Sequence, residues 1–243
     1  MEGTAAPVEA RSRPSADGAR ALPPPRHAAR NWAAVIVVGV AALAAFAMLG
    51  EDVLHNETAA FDAVVRNWMV SHQAAGLSRF LHLVSTVGSV TPMVAYAVIG
   101  ALVLWLRRRP LVASSVLVAP AVAVVAYLAL KGAFARTRPS GLGNVIEGTY
   151  SFPSAHATTS AAICSTLAYV FWRERLVPGV VALVAAVTVP LLVGVSRVYL
   201  DVHWATDVLG GWCAGLVIAA LSAGLYNSSR HFRTPWIIDE DRT

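Results

Sequence analysis

The sequence predicts an all-α membrane protein: a six-transmembrane-helix bundle with an amphipathic interfacial helix between spans one and two. Three observations lead there. The chain of 243 residues is 56% hydrophobic and only 14% charged, whereas a soluble domain carries about a quarter charged residues. Its apolar residues gather into segments near the roughly 20 residues that cross a bilayer. Most of its arginines sit at the ends of those segments, with no broad basic face. The last point, despite a net charge of +5, argues against a nucleic-acid partner.

Residues 1–30 are rich in Pro, Ala and Arg and nearly free of large apolar groups. They read as a disordered cytoplasmic tail. Residues 31–50 form the first span. The "AAFA" within it resembles a signal cleavage site, but the apolar run exceeds the roughly 7–15 residues of a signal peptide, so a retained span is expected. The loop 51–86 holds Phe61, Val64, Val65, Trp68 and Met69 at helical spacing. That apolar face suits a helix at the outer interface or, equally, one packed on the bundle. The sequon Asn56-Glu57-Thr58 in this loop matters only in a host that glycosylates. Spans two to six are expected at 87–106, 111–131, 155–172, 176–195 and 204–225. The membrane domain thus covers 31–226, and 227–243 form a C-terminal cytoplasmic tail. Cys164 and Cys213 lie inside apolar runs and read as buried thiols. Gly211 and Gly215 form a small-xxx-small pair expected to pack within the bundle.

Orientation follows from the arginines. Arg11, Arg13, Arg20, Arg26 and Arg30 precede span one; Arg107, Arg108 and Arg109 separate spans two and three. Arg173 and Arg175 separate four and five, and Arg230 and Arg233 follow six. With six spans all lie on one side, the cytoplasmic side, together with both termini.

Three polar clusters then fall on the opposite side. The first contains Lys131, the single lysine among nineteen basic residues, with Arg138 and Pro139. The second is "SFPSAH", 151–156, and the third "SRVYLDVHWATD", 196–207. A charge deep in a span costs about 2.5–3.5 kcal/mol even on lenient scales, so such groups are paired, hydrated or functional. His203 and Asp207 are four apart, which on a helix places them on one face. A carboxylate on one imidazole nitrogen leaves the other as nucleophile or base; an interfacial His capped by a local Asp is the plainer alternative. Ser154 occupies a natural N-cap position after Pro153, and the N–H groups of Ala155, His156 and Ala157 would open a helix start that favours an anion. Lys131, Arg138 and Arg197 supply cations opposite it. Arginine grips two phosphate oxygens at once, whereas lysine is a point charge on a flexible stem.

Taken together, Lys131-x6-Arg138-Pro139, Pro153-Ser154-Ala155-His156 and Ser196-Arg197-x5-His203-x3-Asp207 resemble the three-part signature of the type 2 phosphatidic acid phosphatase (PAP2) superfamily, in its membrane lipid phosphatase branch. The resemblance covers roughly residues 55–225. It implies that His203 attacks phosphorus and forms a phosphohistidine, that Asp207 orients His203, and that His156 protonates the leaving group and then activates water. It further implies that Lys131, Arg138, Ser154, Ala155 and Arg197 bind the phosphoryl group. The substrate would be a lipid phosphate or diphosphate, such as an isoprenoid (undecaprenyl) diphosphate, phosphatidic acid or phosphatidylglycerophosphate. No cofactor is implied, and fixed cations would take the place of a metal. The setting would be a bacterial plasma membrane with the site on its extracytoplasmic face. One departure stands out: the family's usual glycine in the second motif is Ala155, which is costly only if that position needs φ above zero. A lipid phosphotransferase is an alternative reaction, and a non-catalytic, transporter-like membrane protein an alternative class. Vanadium-dependent haloperoxidases share the signature but are soluble, which six apolar spans oppose. The sequence does not specify an oligomeric state.

Overall fold

The computed structural model describes residues 26–139 and 150–231. The expected tails over 1–30 and 227–243 lie outside these residues apart from 26–30 and 227–231, which are helical. Among the described residues the protein is all-helical. Its elements are α1 (Arg26–Leu54), α2 (Ala59–Ser71), α3 (Ala75–Val87), α4 (Val90–Leu106), α5 (Pro110–Phe134), α6 (Ala155–Arg173), α7 (Gly179–Tyr199) and α8 (Ala205–His231).

Among the described residues, four helical stretches are long and apolar enough to cross a membrane: Asn31–Leu54, Pro110–Phe134, Gly179–Tyr199 and Ala205–Arg230. A fifth results if α3 and α4, which meet at 50°, count as one broken span. The break falls at Gly88-Ser89, where the corner presses on α7. A Cβ on Gly88 would lie 2.3 Å from Val193 Cγ2. The helix α3 is an addition to the expected pattern, since residues 75–86 read as loop and span two was expected to begin at 87. The expected fourth span, now α6, falls short of span-like apolarity because of Thr158, Thr159, Ser160, Ser165 and Thr166. Three of these hydroxyls bond back along the helix, Thr158 to Ser154 O, Thr159 to Ala155 O and Ser160 to Ala157 O. With these three hydroxyls satisfied within the helix, α6 sits at the centre of the bundle, packed by α4, α5, α7 and α8.

The core between these helices is built from small and branched residues, including Ala97, Leu104, Val116, Ala119, Ala162, Ile163 and Ile218. Gly211 and Gly215 bring α8 against α6, as the small-xxx-small spacing predicts. A Cβ on Gly215 would stand 2.6 Å from Thr158 O and 2.6 Å from Ala161 Cβ, and one on Gly211 2.9 Å from Ser154 O. Because backbone cannot move aside like a side-chain tip, Gly215→Val is expected to destabilise the protein by about 1–3 kcal/mol. Thermal unfolding of the detergent-solubilised protein measures this; an unchanged midpoint would mean that α6 and α8 are not so tightly apposed.

The two ends of the bundle differ chemically. At one, Glu174 after α6 accepts from Tyr226 Oη at 2.8 Å and pairs with Arg109 and Arg230 at 3.8 and 3.9 Å. At the other, the end of α5, the start of α6, the end of α7 and the start of α8 converge. The helix α2 lies beside this second end. Its predicted apolar face divides: Val65 and Met69 pack against the small cluster of Ala157, Val198 and Val208, while Phe61, Val64 and Trp68 are more than half exposed.

Candidate active site at four helix ends

The last turn of α5 supplies the first cation. Lys131 is buried, and its Nζ donates to the carbonyl of Tyr150. The helix then stops at Ala135, which adopts the left-handed conformation (φ 45°, ψ 30°) and donates to Lys131 O. That reversal sends residues 136–139 across the ends of α6 and α8. Arg138 Nη1 donates to Val202 O at 2.7 Å and meets His203 Nε2 at 3.1 Å.

His203 is 2% exposed and Asp207 fully buried, with His203 Nδ1 3.2 Å from Asp207 Oδ2. The pairing expected from the spacing is present, but its basis differs from the expected one. His203 is not on a helix; α8 begins at Ala205. Asp207 is the third helical residue and reaches back over the helix start, also accepting from Trp204 N at 2.9 Å. This is the backward arm of a capping box, extended to an imidazole. The tautomer follows from the partners. A guanidinium only donates, so Nε2, facing Arg138, is the acceptor, and Nδ1 carries the proton given to Asp207. The nitrogen left with a lone pair is therefore Nε2.

Asp207 has a second partner that the sequence reading passed over. Arg136 Nη1 donates to Asp207 Oδ1 at 2.7 Å and to Thr206 Oγ1 at 2.7 Å. Its Nη2 donates to Asp62 Oδ2 at 2.6 Å. Asp62, buried on the inner face of α2, also accepts from Thr206 N at 3.0 Å and Thr206 Oγ1 at 2.6 Å. It thereby caps α8 from a different helix, a task that Trp204 at the N-cap cannot perform. One turn along α2, Arg66 makes two hydrogen bonds to Asp201, at 2.6 and 2.8 Å. The hydrogen bond to Asp201 raises the Arg66 guanidinium above its ordinary pKa. The ring of Trp204 lies within cation–π range of both Arg66 and Arg136, at 6.0 and 5.7 Å.

Ser154 holds the expected N-cap position of α6, but its hydroxyl caps nothing. Ser154 N donates to Asp207 O at 3.0 Å, tying the starts of α6 and α8 together. Its Oγ is fully buried and makes no hydrogen bond among the described residues. Burying a hydroxyl without a partner costs about 1–3 kcal/mol, so this atom suits a ligand oxygen. The first-turn amides of α6 have no carbonyl within the helix to receive them. Ala155 is the first helical residue and is not among the positive-φ positions, so alanine is unstrained there and the question of a glycine-only conformation is answered. His156, partly buried, follows it. Arg197, 5% exposed in the last turn of α7, donates to Ser85 Oγ at 2.6 Å. Its carbonyl accepts from His203 N at 3.3 Å.

The eight residues singled out from sequence therefore gather at one end of the bundle. Arg138, His203 and Asp207 touch in series, Lys131 and Arg138 share Tyr150 O at one edge, and Ser154 and Arg197 are joined to the pair through backbone. Three participants were missed. Arg136 had a visible signal, a third cation within the Lys131–Arg138 segment, where the expected orientation leaves few cations. Asp62 and Ser85 had none, because they reach the site only through the placement of α2 and α3.

Residues 111–230, which contain all three polar clusters, match the PAP2 superfamily. Phosphatidylglycerophosphatase B of Bacillus subtilis is 35% identical over 43% of this chain and 53% of its own length. An undecaprenyl-diphosphatase of Sulfolobus acidocaldarius is 30% identical over 51% of this chain and 60% of its own. The chain thus spans about half to three fifths of these relatives. The crystal structure of a transmembrane PAP2-type phosphatidylglycerolphosphate phosphatase from Bacillus subtilis superposes with a TM-score of 0.70 at 25% identity. That match covers 80% of this chain and 98% of that one.

Proposed function

The chain is a membrane protein of the PAP2 superfamily, and from that premise we propose that it hydrolyses a lipid phosphomonoester or diphosphate through a phosphohistidine formed on His203. The observation that carries this reading is the double engagement of a buried imidazole. Nδ1 is held by Asp207, and Nε2, with its lone pair, faces the guanidinium of Arg138. An imidazole fixed in that tautomer beside a phosphate-binding arginine is an activated nucleophile.

The reaction proceeds in two displacements. Nε2 of His203 attacks phosphorus as the bond to the lipid-bearing oxygen breaks, and His156 gives its proton to that oxygen. Water then attacks the phosphohistidine, losing a proton to His156, and inorganic phosphate leaves with both residues restored. Charge on the transferring group is taken up by Lys131, Arg138 and Arg197, by Ser154 Oγ and by the first-turn amides of α6 beginning at Ala155. In phosphoryl transfer such positioning and neutralisation constitute most of the catalysis. Three fixed cations support a metal-independent reaction.

In this reading α6 is a sixth span, enclosed by the others, and α3 with α4 form the second. The site faces the extracytoplasmic side of a bacterial plasma membrane, and the Arg107–Arg109 end faces the cytoplasm. The helix α2 lies along the outer interface with Phe61, Val64 and Trp68 toward lipid. Substrate candidates are undecaprenyl diphosphate, phosphatidic acid and phosphatidylglycerophosphate.

Phosphate release from these three lipids, by the purified full-length protein in detergent micelles, tests the proposal. Release from at least one, unaffected by EDTA, is expected. No release from any would reject a phosphatase, and loss in EDTA would reject metal independence. Because Ala155 sits in ordinary helical conformation, Ala155→Gly is expected to leave turnover within about twofold and to lower stability slightly. A large rise in turnover would show that the alanine methyl obstructs the site.

A further inference from the structure

The His203–Asp207 pair does not end at Asp207. It continues through Arg136 to Asp62, as an alternating series of imidazole, carboxylate, guanidinium and carboxylate. The links are 3.2, 2.7 and 2.6 Å. Arg136 is largely buried and both carboxylates are fully so, so little solvent screens these charges from one another. Asp62 lies outside residues 111–230, on a helix whose opposite face is apolar and exposed.

We propose that Arg136 and Asp62 are positioning residues that set the orientation and proton affinity of His203. Asp207 must be anionic enough to hold Nδ1–H, yet an unopposed buried carboxylate would pull His203 toward imidazolium, whose Nε2 has no lone pair. Arg136 offsets that pull by drawing on Asp207 Oδ1. Asp62 limits Arg136 in turn, so that the guanidinium is shared between two carboxylates. Thr206, which donates through both N and Oγ1 to Asp62, fixes the geometry of the outer link.

The signs are definite. Other charged groups around His203 are Arg138 at Nε2, Arg197 through its carbonyl, Lys131 at the shared Tyr150 carbonyl, and His156 at the start of α6. The Arg66–Asp201 pair lies across Trp204. None of these changes when the relay is altered. Removing the anion at Asp62 makes the potential at His203 more positive and lowers its pKa. Removing the cation at Arg136 does the reverse. Each shift is expected to be about half a pH unit or more, as for a charge separated from its target by one or two partly desolvated groups.

This inference deepens the role given to His203 above, so its test uses a readout independent of turnover. The titration of His203 is followed by NMR of the full-length protein in detergent micelles, labelled with 15N in its imidazoles. Loss of the resonance in His203→Gln assigns it. Asp62→Asn retains an acceptor for Thr206 N and serves as an N-cap as well as aspartate does. It should titrate at lower pH than wild type, and Arg136→Gln at higher pH. An unmoved His203 in Asp62→Asn, or shifts of the same direction in both variants, overturns the proposal. If Arg136→Gln does not fold, Asp62→Asn alone decides by its sign. Opposite shifts in a wild-type background that releases no lipid phosphate would uphold the charge relay while the phosphatase reading fell. With both readings right, the acidic limb of the pH–rate profile moves with the NMR titration.

Discussion

Replacing His203 with alanine is expected to lower phosphate release about 10³-fold or more, with the protein still folded. The magnitude follows from loss of the attacking atom itself. Such deletions remove nearly all chemistry above what binding and electrostatic stabilisation sustain. Folding should survive because His203 lies in the short connection before α8, where its side chain meets Arg138 and Asp207 of the site. Asp207 would keep Arg136 and Trp204 N as partners. A folded variant that turns over at the wild-type rate would remove His203 from the chemistry and with it the mechanism.

The second large effect concerns Arg138. Its alanine variant is expected to lose about 10²–10³-fold in kcat, the scale seen when one donor to a developing oxyanion is removed. Because Arg138 stands at the attacking nitrogen, its interaction should strengthen as phosphorus and Nε2 approach. The loss should therefore fall on kcat and kcat/KM alike. Lysine at this position is expected to restore only part of the activity. A single ammonium cannot hold Val202 O and a phosphoryl oxygen in the planar fork that arginine provides. A rise in KM with kcat unchanged would reduce Arg138 to a binding residue.

Much of this was legible in the sequence because the chemistry lies in short, local patterns. The Lys131–Arg138 segment lies at the end of α5, Ser154 with His156 at the start of α6, and the Arg197–His203–Asp207 run joins the end of α7 to the start of α8. Helix ends are where apolar periodicity stops and polar residues become noticeable. Three things were illegible for physical reasons. The helix-face argument for His203 and Asp207 reached the right pair by the wrong geometry, since a four-residue spacing is also met when a third helical residue reaches back across an N-cap. The hydroxyl-rich α6 read as an ordinary span, because sequence does not reveal that Thr158, Thr159 and Ser160 bond to their own helix. The Asp62 contact joins residues 74 and 144 positions away, in Arg136 and Thr206. No local pattern encodes such a partner; it depends on α2 folding back against the start of α8.

Among all these expectations, the covalent intermediate tests the central claim most directly. Enzyme is mixed with substrate labelled with 32P in its terminal phosphate, quenched within the first turnover, and the label is located by peptide mapping. The account predicts an acid-labile, base-stable phosphohistidine at His203, absent from His203→Ala. Label on any other residue, or undiminished hydrolysis in His203→Ala, would contradict it.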